Sequence, residues 1–197
     1  MSNTAPSSDV IDRFVTRLET LDAGGRARLK RNAGHTLNEA RDVYQIFFSL
    51  LPLGVQERHQ DDYFLIATLY AVGTRRDNPR PANPPRSLGA SLRRVRQQIQ
   101  GDGGDDHRIS LDKRVETLLD ADREQLLFRL RQIISLLVAH DVAVDWRRLL
   151  RDVRSWDHED RFVQLAWARD YFAASSETPH GTTDSTTASS GTTPAKE

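Results

Sequence analysis

The sequence predicts an all-α protein: two small helical-bundle halves joined by a proline-rich linker and followed by a polar tail. Three observations carry this expectation. Apolar residues recur at spacings of three and four through most of the chain, and no segment alternates in the manner of a strand. Ser, Thr or Asp stands at the head of most of these runs, where its side chain can cap a helix N-terminus. Prolines gather at 74–86 and Ser and Thr dominate 175–197, which sets the apolar repeats in two groups. The expected organisation is a helical bundle over residues 9–73, a Pro/Arg-rich linker over 74–86, a second bundle over 87–174, and a disordered Ser/Thr tail over 175–197.

Val10, Ile11, Phe14, Val15, Leu18 and Leu21 form the apolar stripe of the first helix. Asp22 is placed to cap a short second helix carrying Arg26, Arg28, Lys30 and Arg31, and Gly34 to end it. Thr36 and Glu39 have the spacing of a capping box. They predict a helix with Ala40, Val43, Tyr44, Phe47 and Leu50 on one face and Pro52 beyond its end. Asp61 to Gly73 contains YFLIATLYAV, apolar nearly all round, as befits a helix in the middle of a bundle.

Thr74 to Arg86 holds four prolines and no apolar period, which predicts a linker or long loop. Ser87 then caps a helix with Leu88, Leu92, Val95 and Ile99 inward. Gly101 to Asp106, GDGGDD, is expected to be a flexible acidic loop; it lacks the ligand spacing and closing Glu of an EF-hand calcium loop. Ser110 starts a short helix with Val115, Leu118 and Leu119. Asp120 or Asp122 begins the longest helix, with Leu126, Leu127, Leu130, Ile133, Ile134 and Leu137 buried. Asp145 caps a helix over Trp146 to Trp156, and Asp157 caps the last one, ending near Ala174. The remaining Ser, Thr and Gly residues have nothing to bury.

Composition narrows the function classes. The chain has 197 residues, of which 38% are hydrophobic, enough for a core. It has no cysteine, which excludes disulfides and thiolate metal sites. The N-terminal MSNTAPSSD resembles no signal peptide, and the apolar runs fall far short of the ~20 residues that span a bilayer. A soluble, cytoplasmic protein is expected, with no membrane partner. The 28 basic and 28 acidic residues cancel, yet 25 of the basic ones are arginine. Arginine's planar fork suits phosphate better than lysine's point charge. Codon bias in a GC-rich genome explains the same excess, so placement has to decide.

On the helix after Asp145, Trp146, Leu149, Leu150 and Val153 share one side at about 100° per residue. Arg147, Arg148, Arg151 and Arg154 fall on the other, where like charges repel unless an anion or an acidic neighbour compensates. Arg93, Arg94 and Arg96 flank the core stripe of the Ser87 helix with their guanidinium groups expected in solvent. These clusters and the Arg26–Arg31 segment can track a phosphate backbone; the plainer reading is a solvated face paired with acids. They lack interleaved aromatics for base stacking, so backbone contact without base reading is expected. Trp146, Trp156, Trp167, Tyr171, Phe172, Phe47, Phe48, Tyr63 and Phe64 are read as core. Phe128 and Leu165 point away from their stripes, towards a second packing partner within the fold or in another subunit. Arg129 and Arg131 flank the core of the long helix and fit internal ion pairs equally well.

Enzyme chemistry finds little support. The six histidines are scattered without a ligand pair, no phosphate loop or nucleophile elbow occurs, and Asp61 and Asp62 read as helix-start acids. No catalytic residue, metal or cofactor is expected.

Two segments carry a family resemblance: REQLLFRLRQIISLLVAHDVAVDWRRLLRDVRSW and VQLAWARDYF, with RARLKRNAGHT and FLIATLYAVG adding weaker support. Over about residues 9–173 the chain resembles the CasB proteins, small subunits of the type I-E Cascade complex of CRISPR immunity. The resemblance implies a non-catalytic all-α subunit, present as paired copies beside other Cascade subunits. It implies contacts with the backbones of crRNA, target DNA and the displaced non-target strand that stabilise the R-loop. Arg147, Arg148, Arg151 and Arg154 with Arg93, Arg94 and Arg96 are the expected phosphate contacts, followed by Arg26, Arg28, Lys30 and Arg31. The alternative is a helical protein–protein adaptor that touches no nucleic acid.

Overall fold

The structure, a computed structural model, describes residues 8–74, 84–101 and 105–173. All regular elements among them are helical: α1 Ser8–Glu19, α2 Ala23–Arg31, α3 Tyr44–Leu50, α4 Gln60–Gly73, α5 Leu88–Gly101, α6 Asp105–Leu119, α7 Arg123–Ala139, α8 Trp146–Arg154 and α9 Phe162–Phe172, with short 3-10 turns at Arg41–Val43 and Glu57–His59. Most of the expected linker and the whole of 175–197 lie outside the described residues. No helix among the described residues is long and apolar enough to cross a membrane.

The core forms around α4. Asp62 through Ala71 are buried without interruption, and α4 packs against α2, α7 and α8. An apolar sequence with no polar face can be stable only where neighbours cover it on every side. Phe14 of α1 meets Tyr63 edge-on at 4.8 Å, Phe47 of α3 meets Phe64 at 5.4 Å, and Trp146 of α8 meets Tyr70 at 5.4 Å. Around this centre α1 packs on α8, α6 on α5 and α7, and α5 lies along α9. Gly89 makes that last pairing close: a Cβ there would stand 2.1 Å from the Trp167 carbonyl oxygen.

Four of the expected caps form. The carboxylates of Asp22, Asp122 and Asp145 accept from the amides of Gly25, Gln125 and Arg148 at 2.6, 2.8 and 3.0 Å. The Ser87 hydroxyl accepts from the Ala90 amide at 3.1 Å. Each satisfies a donor that the first turn leaves orphaned.

Other boundaries differ from expectation. Thr36 and Glu39 do interact, but no helix starts there. The Thr36 hydroxyl donates to the Glu39 carboxylate instead of capping the Glu39 amide, which turns back to the Thr36 carbonyl. The box closes a turn, Ala40 at φ −95°, ψ 51° breaks the chain direction, and α3 begins only at Tyr44. The second helix ends with Asn32 as its cap, and Gly34 shapes the next turn at φ +97°. Asp105 and Asp106 are not loop: they open α6, where their charges suit the positive end of the helix dipole, so the helix starts well before Ser110. Asp157 caps nothing. α8 stops at Arg154, and Arg161 in the left-handed region at φ +47° delays α9 to Phe162. The turn between them is tied elsewhere: Gln164 donates to the Trp156 carbonyl at 2.8 Å, and the Trp156 indole donates to the Ala121 carbonyl at 3.0 Å. Phe48 and Phe172, read as core, are 48% and 46% exposed, because each sits on the outward side of a helix whose inner side is already filled by Phe47 or Tyr171. Phe128 and Leu165 are 55% and 61% exposed, so no second packing partner among the described residues covers them.

Candidate nucleic-acid interface

The structure separates the predicted basic residues into two kinds. The first kind is used inside the fold. Arg147 leaves α8 towards α1, where it pairs with Asp12 at 2.8 Å and Glu19 at 3.6 Å and donates to the Thr16 hydroxyl at 3.4 Å. Arg148 pairs with Asp152 one turn on, at 2.8 Å. Asp152 is buried and also accepts from the Trp167 indole at 2.8 Å. Burial pushes its carboxyl up from the ordinary value, against the pull of the Trp167 hydrogen bond and the Arg148 charge.

Arg154 turns inward, towards a cluster built on α4. Asp62, read only as a helix-start acid, is buried there, pairs with Arg123 of α7, and meets His59 Nδ1 at 3.2 Å. Burial drives the Asp62 carboxyl up, while Arg123, His59 and Arg154 oppose it. Arg123 continues to the Val153 carbonyl at 2.6 Å, fastening α7 to the end of α8.

Arg96 was expected in solvent but is claimed by α6 and α9. It binds Asp112 through two nitrogens, at 3.1 and 3.4 Å, and its guanidinium lies 5.5 Å from the centre of the Tyr171 ring. The Tyr171 hydroxyl donates to the same carboxylate at 2.5 Å; burial, then that bond, pushes the phenol well above its usual range. Arg26 donates to the Leu21 carbonyl at 3.1 Å and is half-buried.

The second kind remains outward. Arg28, Lys30 and Arg31 are exposed on α2, which contains no acid. Arg94 and Arg151 are exposed and Arg93 half-buried. Among the described residues none of these six is paired with a carboxylate. Arg151 only turns its Nε to the Arg147 carbonyl, at 3.3 Å. A cation without a carboxylate partner keeps its uncommitted N–H donors, all but the Nε of Arg151, for an external phosphate.

Sequence reading overlooked a further set. Lys113 and Arg114 of α6 stand across a seam from Arg129 and Arg131 of α7. In the sequence Arg129 and Arg131 stand out only as flanking charges of one helix.

Comparison with known proteins agrees with this architecture. The family described as CRISPR-associated protein Cse2 matches residues 25–172. The CRISPR-associated protein Cse2 of Thermus thermophilus is 32% identical over 120 residues, which span 60% of this chain and 60% of that protein's length. The fold is similar to the crystal structure of M. ruber CasB, with 26% identity, a TM-score of 0.65, and 82% of this chain and 92% of that one covered. A chain of a CRISPR RNA-guided surveillance complex shares the fold at 23% identity and a TM-score of 0.65, over 83% of this chain and 92% of its own. Because the match spans residues 25–172, well over half of the sequence, the chain belongs to the Cse2 (CasB) family.

Proposed function

We propose that this chain is the non-catalytic small subunit of a crRNA-guided CRISPR surveillance complex. In that role it lays basic helix faces along crRNA and target-DNA backbones and stabilises the R-loop, the displaced strand included. The observation that carries the reading is α2: three exposed cations, Arg28, Lys30 and Arg31, on a helix without an acid and without an ion pair among the described residues. Arg93, Arg94 and Arg151 extend the outward charge from other helices. Each phosphate neutralised releases condensed counterions, so such contacts contribute affinity without reading sequence. R-loop formation in a guide-RNA effector is a near-balanced exchange of one duplex for another, so modest backbone contacts can tip it. Sequence choice then rests with the guide. A second copy of this chain and the other subunits hold the faces in register.

The test compares R-loop formation by a reconstituted complex in three forms: complete, lacking this chain, and carrying Arg28→Ala/Lys30→Ala/Arg31→Ala. Omission and the triple variant should both weaken R-loops, and the variant should still assemble. If omission changes nothing, the proposal fails. If omission matters but the triple variant behaves normally at every salt concentration, α2 is not a backbone contact; if removing Arg93, Arg94 and Arg151 as well still changes nothing, the chain acts as a protein–protein adaptor instead.

A further inference from the structure

The seam between α6 and α7 opens to solvent as three adjoining cavities of about 400, 220 and 510 Å³. Arg114 lines all three. Lys113 and Arg129 line the second from opposite helices, and Arg131 lines the third together with Phe128. No carboxylate among the described residues lines any of them. Lys113, Arg114 and Arg131 are exposed, and none of the four cations has a carboxylate partner among the described residues. Like charges gathered on a cleft focus its potential and favour an anionic occupant.

An aromatic residue stands beside these cations. Phe128 is 55% exposed on the outer side of α7, and the Arg129 guanidinium lies 5.8 Å from its ring centroid, a cation–π contact. The groove also runs up to the turn behind α2, since Arg131 Nη1 is 3.1 Å from where a Cβ on Gly34 would stand. A cationic groove with an adjacent aromatic face is the combination that holds single-stranded nucleic acid: the cations follow the phosphates and an unpaired base stacks on the ring. A duplex keeps its bases inside and cannot use the ring. We infer that the α6–α7 groove binds single-stranded nucleic acid, with phosphates at Lys113, Arg114 and Arg131 and one base stacked on Phe128. The inference rests on the function proposed above and deepens it, by giving one surface a preference for the unpaired strand.

The experiment titrates the full-length chain onto fluorescent oligothymidylate, and separately onto a DNA duplex, following anisotropy at several salt concentrations. Phe128→Ala should weaken single-strand binding about fivefold or more, the low end of what one stacked base contributes. Its log–log salt slope should stay unchanged, and so should duplex binding. Lys113→Ala/Arg114→Ala should reduce the single-strand slope by about 1.4, two phosphates at ~0.7 each. All three side chains are exposed, and circular dichroism verifies that the variants fold. The inference is overturned if the wild-type chain does not bind the strand, if Phe128→Ala binds it as tightly as wild type, or if strand and duplex lose affinity equally. The two readings fail separately. R-loops that depend on Arg28, Lys30 and Arg31, with no effect of Phe128 on strand binding, leave the proposed function standing and remove the groove.

Discussion

Replacing Gly89 with alanine tests whether α5 and α9 approach as closely as the structure has them. A Cβ at Gly89 would lie 2.1 Å from the Trp167 carbonyl oxygen and 2.8 and 2.9 Å from its carbonyl carbon and Cα. Every one of these atoms is helix backbone, so no rotamer change relieves the clash. Ordinary contact begins near 3.4 Å, so the two helices must part by about 1.3 Å. That opens the packing of Leu92 and Trp167 and pulls Ser87 away from Asp170, with which it shares a hydrogen bond. Overpacking costs typically 1–3 kcal/mol, and this site belongs at the upper end because nothing can yield. Alanine returns ~1 kcal/mol of helix propensity, leaving a net loss of about 2 kcal/mol. For a chain of this length that lowers Tm by roughly 4–8 °C. Urea unfolding followed by tryptophan fluorescence and far-ultraviolet circular dichroism reads the change. Gly24→Ala is the comparison: its Cβ would meet only Asp22 Oδ1, at 3.7 Å, so propensity alone acts and the variant should be slightly stabilised. If Gly89→Ala matches Gly24→Ala, the close α5–α9 contact does not exist.

Two further outcomes follow from the charges. Arg147→Ala should destabilise the free chain by about 1 kcal/mol or less, the range for a partly exposed ion pair, whereas Arg151→Ala should leave unfolding unchanged; equal effects would remove the α1–α8 brace. Asp152 supplies a pH dependence. Its folded-state pKa lies above the ordinary value of 3.8, chiefly because burial penalises the charged form, so the folded state binds the proton more readily. The stability this group contributes is full below its unfolded pKa and is lost as pH rises through the folded one. Asp152→Asn cannot ionise, so its stability relative to wild type should improve as pH rises from below 3.8 towards neutrality. Paired urea titrations across that range check this, and a constant or falling difference refutes it.

Much of the fold was legible because the signals were local. The stripes of α1, α5 and α7 and the caps Asp22, Asp122 and Asp145 depend on residues within a turn or two of one another. The misread boundaries share a cause as well. Composition makes GDGGDD look like one unit, although its last two acids are as good a helix start as a loop. Thr36–Glu39 has the spacing of a helix start, but which way the threonine hydroxyl points decides between box and turn, and spacing does not contain that. The onset of α9 hangs on a left-handed arginine that no propensity favours. For the basic residues the limit is distance along the chain. Arg147 finds Asp12 and Arg96 finds Asp112 only after the helices have packed, and until then both look like free surface charges.

The same pairing explains how a chain of zero formal net charge can offer cationic surfaces. Ion pairs consume both signs equally and leave the sum unchanged; what the fold alters is location. Asp12, Asp62 and Asp112 are drawn against arginines of other helices, Asp152 is drawn against Arg148 of its own helix, and Asp157, Glu159 and Asp160 collect on the turn between α8 and α9. That leaves α2 and the α6–α7 groove with cations that meet no carboxylate among the described residues. Over distances beyond the ~8 Å Debye length at physiological salt, remote acids are screened and cannot cancel a local patch. Local segregation therefore governs what a phosphate experiences, and net charge is a poor guide to it. The zero balance still has a consequence, because a neutral particle gains little long-range steering towards a polyanion. These surfaces are suited to a strand already held nearby by other subunits, and less to capturing one from solution.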